Sequence, residues 1–400
     1  AAGPAVTNNK PITIGFSTID YGKIAEQFGF DITSDYYAGF RNMFAYLNKR
    51  GGLAGRRIKG VFHLADGAAS SYDAESQRTC SAFTEDEKVD VVFTYIYAQP
   101  TLASCLQKRG VAQIDNQQYA LTDGELAELS GYLNPAGVSL ERMGKAVLTG
   151  MVEAKVLSRG SVIGVLTADC ANNRNVNERL LPSLAKQHGY RIVNVQLGCF
   201  RGFGDLGRVT SEIQSAVLRF RNEGVDQVFA LTGSEGYVIG TFAKNADSQG
   251  YEPGYLVTSN AFPASNVAAD QFPQRMLRKT RGIGWSPYID TAEKTQVPAA
   301  QAARQKVCRD MDPTLGNLAD GNPEARFNLT HFFYAECDQL LLLGEILKAN
   351  GGDSSLAAVR AGYEQLGSGF PSATVHGGKL ATSRSRLDGP ALMRRFDYTA

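Results

Sequence analysis

Side chains able to do chemistry are sparse along this chain, and their spacing argues against the common catalytic sites. The four histidines are His63, His188, His331 and His376. None lies in an H-E-x-x-H pattern, so a zinc hydrolase site is not indicated. His63 falls within a strand-like run, His188 at a helix end beside Gly189, His331 at the opening of a helical run and His376 in a glycine-rich turn. Such scattered contexts fit structural or surface roles. The six cysteines contain no C-x-x-C, which points away from zinc and thioredoxin chemistry. Their even number fits three disulfides, buried thiols or ligands. Thr232-Gly233-Ser234-Glu235-Gly236 approaches a nucleophile elbow but lacks its first glycine. There is no Walker loop. Gly202-Phe203-Gly204-Asp205-Leu206-Gly207 does match G-x-G-x-x-G, between a strand-like and a helical run. However, Gly198 to Arg201 intervene between the strand end and the first glycine, leaving no tight phosphate turn. The next strand ends in Leu-Thr-Gly, with no acidic residue for a ribose. The stretch reads as an ordinary loop with Asp205 near the helix start. Neither a cofactor nor a metal is expected.

What remains is a set of polar loops, and the elements between them say where those loops lie. Apolar runs rich in Val, Ile and Phe recur at 12–17, 58–64, 89–94, 111–115, 161–167, 191–197, 226–231, 254–258 and 282–286. Helical patterns separate them at 36–50, 74–85, 101–109, 140–156, 177–188, 206–222 and 236–249. In 206–222, Val209, Ile213, Ala216, Val217 and Phe220 share one face. This alternation predicts parallel sheets covered by helices on both faces. The length suits two sheets of four or five strands better than one large sheet. The rhythm breaks at 132–137 and at 261–280. A long apolar helix at 329–349, a helix at 354–366 and short extended pieces complete the chain.

In open α/β sheets, ligands bind beyond the C-terminal ends of the strands. There the chain carries Ser17, Thr18, Asp20 and Tyr21, then Tyr95, Tyr97 and Gln99, then Asn116, Gln117 and Tyr119. The second half adds Asp169, Asn172 and Asn173, then Thr232, Ser234 and Glu235, then Asn260 and Phe262, and finally Trp285, the single tryptophan. Tyrosines and amides with few fixed charges make a pocket that stacks on apolar faces and hydrogen-bonds polar edges. The candidate ligand-binding set is Asp20, Tyr21, Tyr95, Tyr97, Gln99, Gln117, Tyr119, Asp169, Asn172, Ser234, Glu235, Asn260 and Trp285.

Composition narrows the classes. The 400 residues suit two or three domains. With 43% hydrophobic and 20% charged residues, the chain can bury a core, which excludes a disordered or collagen-like protein. A net charge of +1 gives no reason to expect nucleic acid or an anionic membrane as partner. There is no apolar run of about 18 residues to span a bilayer. The chain opens Ala-Ala rather than with Met, as after removal of a signal peptide; a trimmed chain would look the same. Export is the expectation, and the cysteines favour it.

The order of features resembles the type I periplasmic-binding-protein family, in its branch of solute receptors for branched-chain amino-acid and amide ABC transporters. Pro11-Ile12-Thr13-Ile14-Gly15-Phe16 begins the resemblance. Gly39-Phe40 then leads into Tyr46-Leu47-Asn48-Lys49-Arg50-Gly51-Gly52-Leu53-Ala54-Gly55-Arg56-Arg57-Ile58. That block is similar to the family's helix, its N-x-x-G-G-(I/L)-x-G-R-x-I turn and its second strand. Val89-Asp90-Val91-Val92-Phe93 and Gly224-Val225-Asp226-Gln227-Val228-Phe229 resemble later strands. The resemblance covers residues 11 to 350 or so.

It implies two Rossmann-like α/β lobes with parallel sheets flanked by helices, three hinge crossovers and a ligand cleft between the lobes. One lobe would comprise 1–133 and 284–372, the other 134–283 and 373–400. The crossovers would fall near 132–137, 281–287 and 371–378. The implied protein is a non-enzymatic, extracytoplasmic solute receptor, in the periplasm or at the cell surface, that feeds an ABC importer or acts as a related sensor. Its implied partners are a small-molecule ligand and a permease. A lipid anchor outside this sequence would add peripheral membrane association. Within those lobes, Cys80 and Cys105 fall on consecutive helices, Cys170 and Cys199 follow neighbouring strands, and Cys308 and Cys337 share the segment returning to the first lobe. Sequential pairing would leave lobe closure free; pairs across the lobes would restrain it, and free thiols are the alternative.

One departure bears on the ligand. In amino-acid receptors of the family, a small Ser/Gly/Thr-rich loop after the third strand holds the ligand carboxylate. Here the loop reads Thr94-Tyr95-Ile96-Tyr97-Ala98-Gln99-Pro100, and Pro100 has no N–H to offer. The expected ligand is larger than a plain α-amino acid, with an aromatic or apolar body. The alternative from another class is an enzyme on this scaffold, using Asp20, Asp169 or Glu235 as acid or base on a bulky natural product.

Overall fold

Buried strands and amphipathic helices alternate along the chain and build two sheets. The computed structural model describes residues 10–20, 37–95, 99–116, 120–135, 137–261, 272–290, 297–314, 323–380, 389 and 392–397. The first sheet contains β1 (Ile12–Asp20), β2 (Ile58–Asp66), β3 (Val91–Tyr95), β4 (Ala112–Asp115) and β5 (Tyr132–Leu133), all parallel, in the order β2-β1-β3-β4-β5. The second contains β6 (Val162–Asp169), β7 (Arg191–Gly198), β8 (Gln227–Ala230), β9 (Gly254–Val257), β10 (Thr280–Gly284) and β11 (Arg394–Asp397). Its order is β11-β10-β9-β8-β6-β7, and only β11 runs antiparallel.

Parallel neighbours need long crossovers, and helices supply them. In chain order they are α1 (Ala38–Asn48), α2 (Tyr72–Ser81), α3 (Pro100–Lys108), α4 (Asp123–Glu128), α5 (Leu140–Glu153), α6 (Leu181–His188) and α7 (Leu206–Asn222). Then follow α8 (Glu235–Ser248), α9 (Gln274–Leu277), α10 (Pro287–Asp290), α11 (Ala299–Met311), α12 (Pro323–Ala349) and α13 (Leu356–Leu366). The buried face of α7 is Val209, Ile213, Ala216, Val217 and Phe220, the stripe read from its periodicity.

Several elements differ from expectation for identifiable reasons. The second sheet has six strands because the C-terminal tail adds β11 at its edge. Tyr132 and Leu133, read as part of a linker, form the short edge strand β5. Helix α11 went unread because it buries Gln301, Gln305, Cys308 and Met311, a half-polar stripe with little apolar period. His331 lies inside α12 rather than at its start.

The Asn48–Ile58 block has a structural purpose. The Asn48 side chain donates to the Ile58 carbonyl at 2.9 Å and accepts from the Ile58 N–H at 2.8 Å, clamping α1 to β2. Gly52 sits at φ +78, and a Cβ there would meet the Arg56 carbonyl oxygen at 1.9 Å. Arg56 is 2% exposed. Its guanidinium donates to the carbonyls of Lys10 and Gly352, at 2.9 and 2.8 Å, and to Ser354 Oγ at 2.9 Å. It therefore binds the segment after α12 to the first sheet.

The chain passes between the sheets three times: after β5, after β10, and from 371–378 onward to β11. The last two crossings meet at Asp290, which is 1% exposed. Its carboxylate accepts from Ser259 Oγ at 2.6 Å and the Ser286 N–H at 3.1 Å, and lies 3.1 Å from His376 Nε2. Burial pushes its carboxyl above the ordinary range, against the pull of these bonds. The His376 N–H in turn donates to the Trp285 carbonyl at 2.7 Å. Neighbouring helices fix the third crossing. Asp338 accepts from Ser372 Oγ at 2.6 Å and the Thr374 N–H at 3.2 Å, while Gln301 donates to the carbonyls of Ala373 and Val375 at 3.1 and 3.0 Å.

Three disulfides join Cys80 to Cys105, Cys170 to Cys199 and Cys308 to Cys337. The pairing is sequential, and no bond links the two sheets. Ellman titration of the denatured, unreduced chain should find essentially no thiol, and two free thiols would break this assignment. Asp290→Ala leaves a hydroxyl, an N–H and an imidazole without their buried acceptor. It should cost about 3 kcal/mol in urea unfolding; a loss below about 1 kcal/mol would show that the node carries no such weight.

Candidate ligand-binding cleft

The C-terminal ends of the two sheets face one another. Asn172, after β6, donates its amide to Glu125 Oε1 on α4. Glu141, at the start of α5, accepts from the Asp123 N–H at 2.8 Å and from Asn175 Nδ2 at 3.1 Å. These bonds tie the first pair of facing loops together at the side where the chain first crosses.

At the C-terminal ends of β3 and β4 lies a polar network that leaves Gln113 Oε1 and Gln339 Oε1 without partners. Thr94 Oγ1 donates to Asp115 Oδ1 at 2.7 Å, and Tyr132 Oη donates to Asp115 Oδ2 at 2.6 Å. Gln113 Nε2 donates to Thr94 Oγ1 at 2.8 Å, and Gln339 Nε2 to the Ile114 carbonyl at 2.8 Å. This fixes the ends of β3 and β4. On the second sheet, the equivalent floor is Glu235, Thr258, Asn260 and Met143. The Thr258 N–H donates to Glu235 Oε1 at 2.8 Å, its hydroxyl donates to Glu235 Oε2, and Asn260 Nδ2 lies 3.4 Å from the Met143 sulfur.

Beside these bonds stand polar groups with no hydrogen-bond partner. Ser17 Oγ and Thr18 Oγ1 on β1, both amide atoms of Asn116 after β4, Thr232 Oγ1 after β8 and Asn260 Oδ1 after β9 are all buried and unbonded. A buried polar group without a partner costs about 1–3 kcal/mol, and natural structures tolerate few of them. Others, such as Thr79, Tyr190 and Gln227, lie elsewhere in the structure, but these six atoms belong to residues at or near the C-terminal ends of strands of both sheets. The arrangement suits a molecule that supplies the missing donors and acceptors from between the lobes.

The sequence-predicted residues divide. Asn116 and Thr232 join the unbonded set, as does Asn260 from the candidate list. Glu235 is at the cleft floor, but both its oxygens are held by Thr258. Asp20 ends β1 in register with Asp66. Gln99 stands at the N-cap position of α3, half-buried, without a side-chain cap bond. Asp169, Asn172 and Ser234 are exposed on the rim. Trp285 is fully buried in the main apolar core, at the second crossing, where chain packs on every side. Tyr95 ends β3. Tyr21, Tyr97, Gln117, Tyr119 and Phe262 lie outside the described residues. Met143 and Thr258 were not foreseen, since a methionine on a helix face and a threonine after a strand carry no signal of their own. Among the described residues, the one Ser–Asp–His cluster is Ser259, Asp290 and His376. Its hydroxyl donates to the carboxylate rather than to the imidazole, so it lacks the nucleophile–base contact. No group of metal-ligating side chains occurs among the described residues.

Neither a protein-family profile nor a curated protein matches the chain. Solved structures do. An ABC transporter substrate-binding protein from Desulfitobacterium hafniense, in complex with Leu, shares 15% identity over 96% of each chain, with a TM-score of 0.61. A branched chain amino acid ABC transporter from Thermus thermophilus, with bound valine, shares 14% over 98% of this chain and 94% of that one, with a TM-score of 0.66. A solute binding protein of an ABC transporter from Rhodopseudomonas palustris HaA2, in complex with p-hydroxybenzoic acid, shares 12% over 97% and 92%, with a TM-score of 0.65. At such identities the likeness is one of fold: two α/β lobes with multiple crossovers, the type I periplasmic-binding fold.

Burial pushes the Glu235 carboxyl up to about 8, opposed by its bonds from Thr258. Raising a carboxyl on folding makes the folded state bind more protons. Its contribution is full below the unfolded value and is lost as pH rises towards about 8. Glu336, also pushed to about 8 by burial, acts in the same sense. Tm should therefore fall between about pH 5 and about pH 8, and Glu235→Gln should make that fall shallower. Identical slopes for wild type and variant would contradict the assignment.

Proposed function

We propose that this chain is a non-enzymatic, extracytoplasmic solute-binding protein that closes two lobes on a small organic molecule and presents the closed form to an ABC-transporter permease. The observation that carries the reading is the set of buried, unbonded hydroxyls and amides on both facing sheets, Ser17, Thr18, Asn116, Thr232 and Asn260. The proposed lobes are 1–133 with 284–372, and 134–283 with 373–400.

The ligand is proposed to be bulkier or more aromatic than a plain amino acid. After Thr94, whose hydroxyl is engaged by Asp115, the loop to Pro100 is rich in tyrosine and contains no serine, glycine or further threonine. Glu235 is engaged on both oxygens, which leaves it poorly suited to pair with an ammonium. Solved structures of this fold carry leucine, valine and p-hydroxybenzoic acid, so the scaffold holds both aliphatic amino acids and aromatic acids.

A thermal-shift screen of leucine, valine, p-hydroxybenzoate, 3,4-dihydroxybenzoate and larger aromatic acids tests this. A true ligand at 100 times its Kd should add about 2.7 kcal/mol. Asn116→Ala and Asn260→Ala should each weaken its binding about three- to tenfold. Tight binding of leucine or valine with nothing bulkier would sink the ligand class. Turnover of a stabilising compound would sink the non-enzymatic reading.

A further inference from the structure

The first glycine of the G-x-G-x-x-G stretch sits where a side chain could not. We propose that residues 199–203 of the second lobe form a latch that closes the cleft mouth against residues 69–72 of the first, and that Gly202 is the residue that lets it seat.

Two main-chain hydrogen bonds cross the lobes here. The Tyr72 N–H donates to the Arg201 carbonyl at 2.9 Å, and the Phe203 N–H donates to the Ala69 carbonyl at 3.0 Å. The rings of Tyr72 and Phe200 meet beside them, with centroids 5.8 Å apart. The two loops follow β2 and β7, which are edge strands of their sheets. In sheet order β2 lies at the far end from β5, and β7 is well removed from β10. The chain leaves for the other lobe from β5 and β10. The contact therefore lies across the cleft from the hinge, where opening separates the lobes most.

Gly202 has an extended backbone, φ 176 and ψ 170, that any residue adopts. The obstacle to a side chain is steric and lies on the other lobe. A Cβ would meet the Ser70 carbonyl oxygen at 2.2 Å, the Ser70 carbonyl carbon at 2.6 Å and the Ala69 oxygen at 3.1 Å. Gly204, two residues on, would meet nothing within 4 Å. Alanine at 202 thus suits the open arrangement and obstructs the closed one.

Both halves of the latch are shaped in advance. The Cys170–Cys199 disulfide pins the start of the second-lobe loop. Asp205 Oδ2 accepts from the Arg201 N–H at 2.8 Å, and Arg208 Nη2 donates to the Cys199 carbonyl at 3.1 Å. On the first lobe, Tyr72 Oη donates to the Gly67 carbonyl at 3.0 Å, and the Ala68 N–H to Asp66 Oδ1 at 3.0 Å. Loops already held in shape lose little freedom on docking, so the latch shifts the open–closed equilibrium towards closed.

Small-angle X-ray scattering of the purified chain without added solute tests this. Wild type and Gly204→Ala should give superimposable profiles. Gly202→Ala should give a larger radius of gyration, with unchanged far-UV circular dichroism. Phe200→Ala, which removes only the ring contact, should shift in the same direction and decides the matter if Gly202→Ala does not fold. Profiles of the folded variants that superimpose on wild type overturn the latch. Because no solute is present, this outcome is independent of whether the cleft binds the molecules proposed above.

Discussion

The buried carboxylate of Asp290 is the constraint from which the arrangement of the two lobes follows. One oxygen takes the Ser259 hydroxyl, from the end of β9; the other takes the Ser286 N–H and faces His376. These groups belong to the second sheet, the second crossing and the third crossing. Removing any of them leaves an acid with no water to solvate it. The two crossings are therefore held side by side at one point. The third is held again on the first-lobe side, where Asp338, Gln301 and Gln305 take up its backbone groups from 373 to 375. The third crossing is therefore anchored at both of its ends.

The disulfides complement this economy of motion. Each closes a loop of 25 or 29 residues within one part of the structure. On the chain-entropy account each restrains the unfolded chain by about 3–4 kcal/mol. None links the two sheets, so each stabilises one part of the structure alone. The Cys170–Cys199 bond does one thing more, since it stiffens the loop that reaches the opposite lobe.

Much of this architecture was legible in the sequence. Val, Ile and Phe runs marked nine of the eleven strands among the described residues, and the stripe of α7 was read residue for residue. What escaped were elements stabilised by polar burial. Helix α11 hides two glutamines that serve the third crossing, so its inner face looks like an outer one. The bond between Asp290 and His376 spans 86 residues, and no local pattern announces it. The strand ends were legible as places and not as a set of roles. Asn116, Glu235, Asp169 and Trp285 looked alike as polar or aromatic residues after strands. Tertiary packing alone makes one unbonded, one engaged, one exposed and one core.

The glycine pattern at 202–207 shows why spacing by itself misleads. A glycine is needed wherever something comes close to the backbone, and the pattern records the missing Cβ without naming what approaches. In a dinucleotide site the visitor is a pyrophosphate, held by free N–H groups at a helix start. Here a carboxylate of the loop itself lies beside the glycines. Asp205 turns its carboxylate back onto the Arg201 N–H, a bond that with Arg208 holds its carboxyl below the usual carboxylate range. A negative charge thus already stands in this loop, and it would repel a phosphate placed there. The group that does approach Gly202 is a neutral carbonyl, that of Ser70. The same absence of a side chain that elsewhere admits a cofactor here admits the other half of the protein.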